Sequence, residues 1–174
     1  MATVRRASLA DADAIGRVHV RAWQAAYRGV MPDRFLDELD PAQRAAMWRD
    51  RLRGDDPSVE TLVAIDGGAV VGFAVAGVAR DDDAEGIGEL HAINLTPAAW
   101  GRGIGSQLLD AAEAGLRARG YDAAMLWVAR DNDRACRFYE EHGWTADGAE
   151  RTGEVLGAVV DEVRYRKQLF DHAA

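Results

Sequence analysis

Apolar positions recur along the chain with two periods, and the switches between them lay out the elements. Residues 3–7 form a short strand pattern, and Ser8-Leu-Ala-Asp11 has the form of a capping box that opens a helix. Ile15, Val18, His19, Ala22, Trp23 and Ala26 then fall at helical spacing, which predicts one buried stripe. Gly29 ends that helix, and Pro32 opens a short piece around Phe35, Leu36 and Leu39. Asp40-Pro41 starts a third helix with Ala45, Trp48 and Leu52 on one face. From there the period becomes two. Residues 61–65 and 70–78 read as strands joined by Asp66-Gly67-Gly68, a hairpin turn signal. Residues 70–78 are apolar almost throughout, as a strand covered on both faces would be.

After an acidic loop over 80–86, strand and helix patterns alternate. Residues 89–95 read as a strand that Pro97 ends, because proline has no ladder N–H to give. Ile104, Leu108, Leu109, Ala112 and Leu116 mark a helix that runs to Gly120. Residues 123–128 predict a strand, 132–142 a helix, and 162–169 a final strand alternating through Val163, Tyr165, Lys167 and Leu169. Hairpin strands followed by two strand–helix units predict an α/β fold: a sheet with an antiparallel half and at least one parallel pair, flanked by helices.

Composition narrows the class. The 174 residues suit one domain spanning 1–174, with 48% apolar and 29% charged residues as in ordinary globular proteins. A net charge of −8 argues against nucleic acid as the main partner. One cysteine allows no internal disulfide and points to a reducing compartment. The first residues lack the apolar core of a signal peptide, and no apolar run reaches the ~18 residues of a membrane span. The expectation is a cytoplasmic protein with no nucleic-acid or membrane partner.

Two stretches carry candidate chemistry. In Trp100-Gly-Arg-Gly-Ile-Gly105, glycines alternate at a helix N-terminus. Free N–H groups and the helix dipole favour an anion there, most often phosphate. The Gly-Lys-Ser/Thr of a P-loop is missing, and G-x-G-x-G deep in the chain is not a dinucleotide fingerprint. A tight turn without a ligand would leave the same trace. The second stretch, Asn132-Asp-Arg-Ala135-Cys-Arg-Phe138-Tyr139 with Gly143-Trp144, is again strand, turn and helix.

Together the two stretches resemble the signature motifs of the GNAT family of N-acetyltransferases, in family order and at family spacing. The loop matches Gln/Arg-x-x-Gly-x-Gly/Ala except that Trp100 stands at the Gln/Arg position; the second stretch matches Asn-x-x-Ala…Phe-Tyr…Gly-Phe/Trp. Arg21-Ala-Trp23, Tyr27-Arg-Gly29 and Pro32 resemble a large bacterial subgroup of the family, so the likeness spans nearly the whole chain.

The resemblance implies a mostly antiparallel sheet with a splayed parallel strand pair at the CoA site. It implies transfer of an acetyl group from acetyl-CoA to a primary amine, small molecule or peptide, in a ternary complex without a metal, and a homodimer, for which the final strand is the expected pairing edge. The implied cofactor-binding set is Ile93, Leu95, Gly101, Arg102, Gly103, Ile104, Gly105, Ser106, Asn132, Ala135 and Tyr139. Asn132 would bond the pantetheine arm, and it also suits a helix N-cap. Tyr139 stands at the position of the acid that protonates the leaving thiolate. The resemblance makes Glu89, on the motif strand, the first candidate for the base; His91, two residues on and on the same face, ranks behind it, and water is the further alternative. Trp23, Tyr27, Glu89 and His91 are expected at the acceptor site, with Trp48 a further aromatic candidate. His19 and His142 read as structural, and Cys136 as a small core residue. A longer acyl-CoA donor, or a CoA-sensing module without catalysis, are the alternatives.

Overall fold

The computed structural model describes residues 2–54, 56–155 and 158–170. Seven strands form one sheet: β1 (Thr3–Arg6), β2 (Val59–Asp66), β3 (Ala69–Val78), β4 (Gly88–Leu95), β5 (Ala123–Ala129), β6 (Thr145–Val155) and β7 (Ala158–Gln168), in the order β1-β2-β3-β4-β5-β7-β6. Neighbours are antiparallel except β4 and β5. Helices α1 (Ala12–Ala26) and α3 (Pro41–Arg53) cover one face, with the short α2 (Asp33–Asp37) beyond them; α4 (Ile104–Ala118) and α5 (Asp133–Glu141) cover the other.

β3 shows why its sequence is apolar without alternation. Phe73 and Val75 pack with Ile15, Val18 and Trp48 on the α1 and α3 side. Ala74 and Ala76 pack with Leu108, Leu109 and Leu116 on the α4 side. Each fully buried leucine there contributes roughly 2 kcal/mol. α1 and α3 touch backbone to backbone at Gly16, where an added Cβ would lie 2.6 Å from the Ala45 nitrogen. His19 sits in the same core and accepts a hydrogen bond from Trp48 Nε1 at 3.1 Å. Burial pulls its pKa down to about 4, so it is neutral and structural, and Trp48 belongs to the core rather than to an acceptor site.

The parallel pair is short by construction. Only Gly88 with Ala124 and Glu89 with Met125 are paired between β4 and β5. Just past them, Ala76 pairs with Leu90 while Val75 pairs with Ala92, so His91 is an extra residue in β4. Such a bulge bends a strand and increases its twist. β4 and β5 therefore part beyond Glu89, and the β5-facing edge of β4 loses its strand partner.

One expectation changes here. The stretch Thr145–Val155 is a strand, β6, that the sequence pattern did not show. It pairs with β7 along most of its length, so the final strand lies between β5 and β6 and has no free edge to offer a second subunit.

Candidate active site

A cleft of ≈ 460 Å³ opens where β4 and β5 part and runs through the sheet from the α1 side to the α4 side. At one end stands the N-terminus of α4. Its N-cap, Gly103, has φ 73°, and Gly101 has φ 67°, backbone that residues with a Cβ rarely adopt. No atom lies within 4 Å of where a Cβ would be at either glycine, so the loop faces open space. The first N–H groups of α4 have no partner within the helix. A helix N-terminus of this kind suits an anion, with backbone donors already in place.

Trp100 closes the loop through its side chain. Its Nε1 donates to the Leu95 carbonyl at 3.1 Å, and the Arg134 guanidinium lies 3.6 Å above its ring. The expected cation, Arg102, is instead engaged by Asp66 at 2.7 Å and is off the cleft wall. The hairpin turn between β2 and β3 brings Asp66 to it, a contact that no local pattern shows. Arg134 from α5 lines the cleft in its place. Ser106 lines it too and is oriented by His142. The Phe138 carbonyl 2.7 Å from His142 Nδ1 assigns the proton there, so Nε2 accepts from the Ser106 hydroxyl at 2.8 Å. Ile104 points into the core beneath the loop, and only its backbone can serve a ligand.

The middle of the cleft brings together residues expected to bind the pantetheine arm and to donate a proton. Ile93 and Leu95 line it from β4, Asn132, Ala135 and Tyr139 from the start and inner face of α5. The Asn132 side chain caps α5 by accepting from the Ala135 N–H at 3.1 Å. Tyr139 is buried at 6% exposure, and its hydroxyl has no hydrogen-bond partner among the described residues. Burial raises its pKa well above the ordinary tyrosine value, so the proton stays on oxygen at neutral pH. Cys136, one turn away, is half-buried against the Ala129 carbonyl with its thiol pKa pushed up by burial, which suits a core residue and not a nucleophile.

Glu89 and His91 do share a face and stand 3.8 Å apart. Their roles differ. Glu89 is fully buried, and its carboxylate accepts the Arg80 backbone N–H at 2.9 Å and pairs with the Arg80 guanidinium, which together outweigh desolvation and hold its pKa low. It is off the cleft wall. His91 lines the cleft. Its Nε2 donates to the Val78 carbonyl at 2.9 Å, which leaves Nδ1 with the lone pair. Burial lowers its pKa, so the ring is neutral at pH 7.

Trp23 and Tyr27 from α1 close the far end, their rings 4.7 Å apart. Tyr27 is pushed up to about 12 by burial and by the charge of Glu162. Asn94, Trp127 and Glu162 complete this end, and sequence reasoning singled out none of them. Glu162 precedes the Val163–Leu169 alternation, on the face that alternation assigns to solvent.

Residues 20–144 match the family model described as Acetyltransferase (GNAT) family. The chain belongs to the GNAT acetyltransferase family. It is 32% identical over 165 residues to an uncharacterized N-acetyltransferase, YuaI, of Bacillus subtilis, covering 94% of this chain and 91% of that protein. A mycothiol acetyltransferase of Beutenbergia cavernae is 39% identical over 90 residues, 52% of this chain but 29% of that longer protein. Among solved structures, Salmonella typhimurium YncA with its cofactor acetyl-CoA superposes with a TM-score of 0.71 at 26% identity, covering 100% of this chain and 97% of that one. The mostly antiparallel sheet with its parallel β4–β5 pair thus matches the fold of solved members of the family. Among the described residues, no helix is long and apolar enough to cross a membrane.

Proposed function

We propose that this GNAT chain transfers the acetyl group of acetyl-CoA to a primary amine by direct attack within the β4–β5 cleft. One observation carries the reading. A phosphate-suited helix N-terminus and an unpartnered Tyr139 hydroxyl that keeps its proton at neutral pH share one cleft with a neutral His91 whose free nitrogen can take a proton. The N–H groups at Gly103–Ser106, with Arg134 rather than Arg102 as the nearby cation, hold the pyrophosphate. The unpaired edge of β4 and Asn132 hold the pantetheine arm. The amine nitrogen attacks the thioester carbonyl carbon and the C–S bond breaks. The amine's proton goes to His91 Nδ1, directly or through water, and the Tyr139 proton goes to sulfur. Glu89 acts from behind His91, where its charge steadies the imidazolium.

Acetyl-CoA should raise the melting temperature, because a ligand at ~100 times its Kd adds about 2.7 kcal/mol to the folded state. No shift and no calorimetric heat at millimolar acetyl-CoA would sink the proposal. The homodimer belongs to the same proposal, with an interface other than strand pairing through β7. A solution mass of one 18.9 kDa chain by light scattering would contradict it.

A further inference from the structure

At the α1 end of the cleft, Glu162 is a carboxylate with one oxygen occupied and one open. It is 8% exposed and lines the cleft. Its Oε2 accepts from Arg151 Nε at 2.7 Å. Its Oε1 has no hydrogen-bond partner among the described residues and keeps some solvent exposure. Ala158 and Val160, which precede it on the same face of β7, pack against the Trp23 and Leu36 cluster, so Glu162 sits at an apolar border where an unmatched charge is costly.

Arg151 does not neutralise it. Arg151 also faces Asp81 at 3.7 Å and lies 4.1 Å over the Trp127 ring. Arg164 is shared by Asp81, Asp83 and Asp147, and Arg166 by Asp83 and Asp147. The connected set therefore holds four carboxylates (Asp81, Asp83, Asp147, Glu162) against three guanidiniums (Arg151, Arg164, Arg166), one negative charge in excess. Glu162 is the member of that set that is both buried and on the cleft wall, beside Trp23 and Tyr27, whose rings can face a cation, and Trp127, whose ring already carries Arg151. Asp147 and Asp83 are off the wall, and Glu89 is engaged by Arg80.

We infer that Glu162 Oε1 is the acceptor-selecting group: it binds the incoming amine as its ammonium, so the enzyme prefers a cationic amine on an apolar or aromatic stem over neutral or acidic molecules of the same shape. This rests on the amine-acceptor reading above. His91 then takes the proton that makes the nitrogen nucleophilic. Glu162 itself positions and selects, and does not touch the thioester.

The test uses two probes of one shape, phenethylamine and 2-phenylethanol, titrated by ligand-observed NMR into the CoA-saturated protein at pH 7. The parent should prefer the amine by about tenfold or more, the scale of one charge-assisted hydrogen bond. Glu162→Gln should reduce the ratio to near one while CoA affinity, measured in parallel, stays at the parent value. Arg151→Gln should raise the ratio, because it removes the competing cation. A parent with no preference, or a Glu162→Gln variant that keeps it, overturns the inference. So does an Arg151→Gln variant that loses the preference, since the carboxylate would then act only by holding Arg151. CoA binding and amine-dependent thiol release are read separately, so failure of the acetyltransferase proposal would appear in the parent as absent CoA binding or absent thiol release, and not as a changed ratio.

Discussion

Tyr139→Phe should lower kcat by roughly 10²–10⁴-fold, the usual scale for removal of a general acid, and leave acetyl-CoA affinity nearly unchanged. The substitution keeps the ring, which packs edge-on against Phe138 and Trp144, and removes a hydroxyl that bonds no described residue. Stability should therefore stay close to the parent. The hydroxyl acts as charge develops on sulfur, so its loss appears in kcat rather than in binding. The loss should persist across the pH range, because burial keeps the Tyr139 proton in place well above neutral pH. A base defect behaves differently. With its pKa lowered by burial, His91 is in its proton-accepting form at neutral pH and loses that form only as pH falls below the ordinary histidine value. A His91→Gln variant should recover as pH rises and the amine loses its own proton. Steady-state kinetics over pH 6–10 separate the two patterns, and a Tyr139→Phe enzyme with the parent's kcat would remove Tyr139 from the chemistry.

Gly103→Val should abolish acetyl-CoA binding while the fold survives. Two effects act together. Residue 103 has φ 73°, which a β-branched residue adopts only at a cost of about 1–3 kcal/mol. The new side chain would also project from the loop that presents the α4 N–H groups to phosphate. The space around a Cβ here is open in the free protein, so no core contact is lost and circular dichroism should show the parent's spectrum. Calorimetry reads the binding. A variant that binds acetyl-CoA as the parent does would take the glycine loop out of the site.

These effects concern the part of the molecule most legible in the sequence. The helical stripe of α1, the unbroken apolar run of β3 and the glycine-to-helix junction at α4 each follow from local patterns, and the structure has all three. Partners distant in sequence were not legible. Arg102 reads as a phosphate ligand until the hairpin brings Asp66 to it. Glu89 reads as a strand residue open to the site until Arg80 closes on it and the bulge at His91 turns the strand. β6 was missed because Asp147, Gly148, Glu150 and Gly153 break any period of two, and its register with β7 shifts between Ala146 and Glu150. Glu162 was missed for a related reason. Alternation sorts residues into core and solvent, but both faces of β7 are covered near Glu162 and Arg164, so a charged residue on the second face is buried in the cleft wall. Arg134 carried a weak signal: it lies two residues after the motif asparagine, on the helix that faces the glycine loop.

The most direct measurement is release of free CoA thiol from acetyl-CoA by the purified protein, with and without each member of a broad panel of primary amines, with the product identified by mass spectrometry. The account predicts thiol release that depends on an amine, one N-acetylated product per thiol, and no acetylated protein when the amine is left out. Tight acetyl-CoA binding with no amine-dependent release across the panel would contradict it, and would make this chain a sensor of CoA built on an acetyltransferase fold.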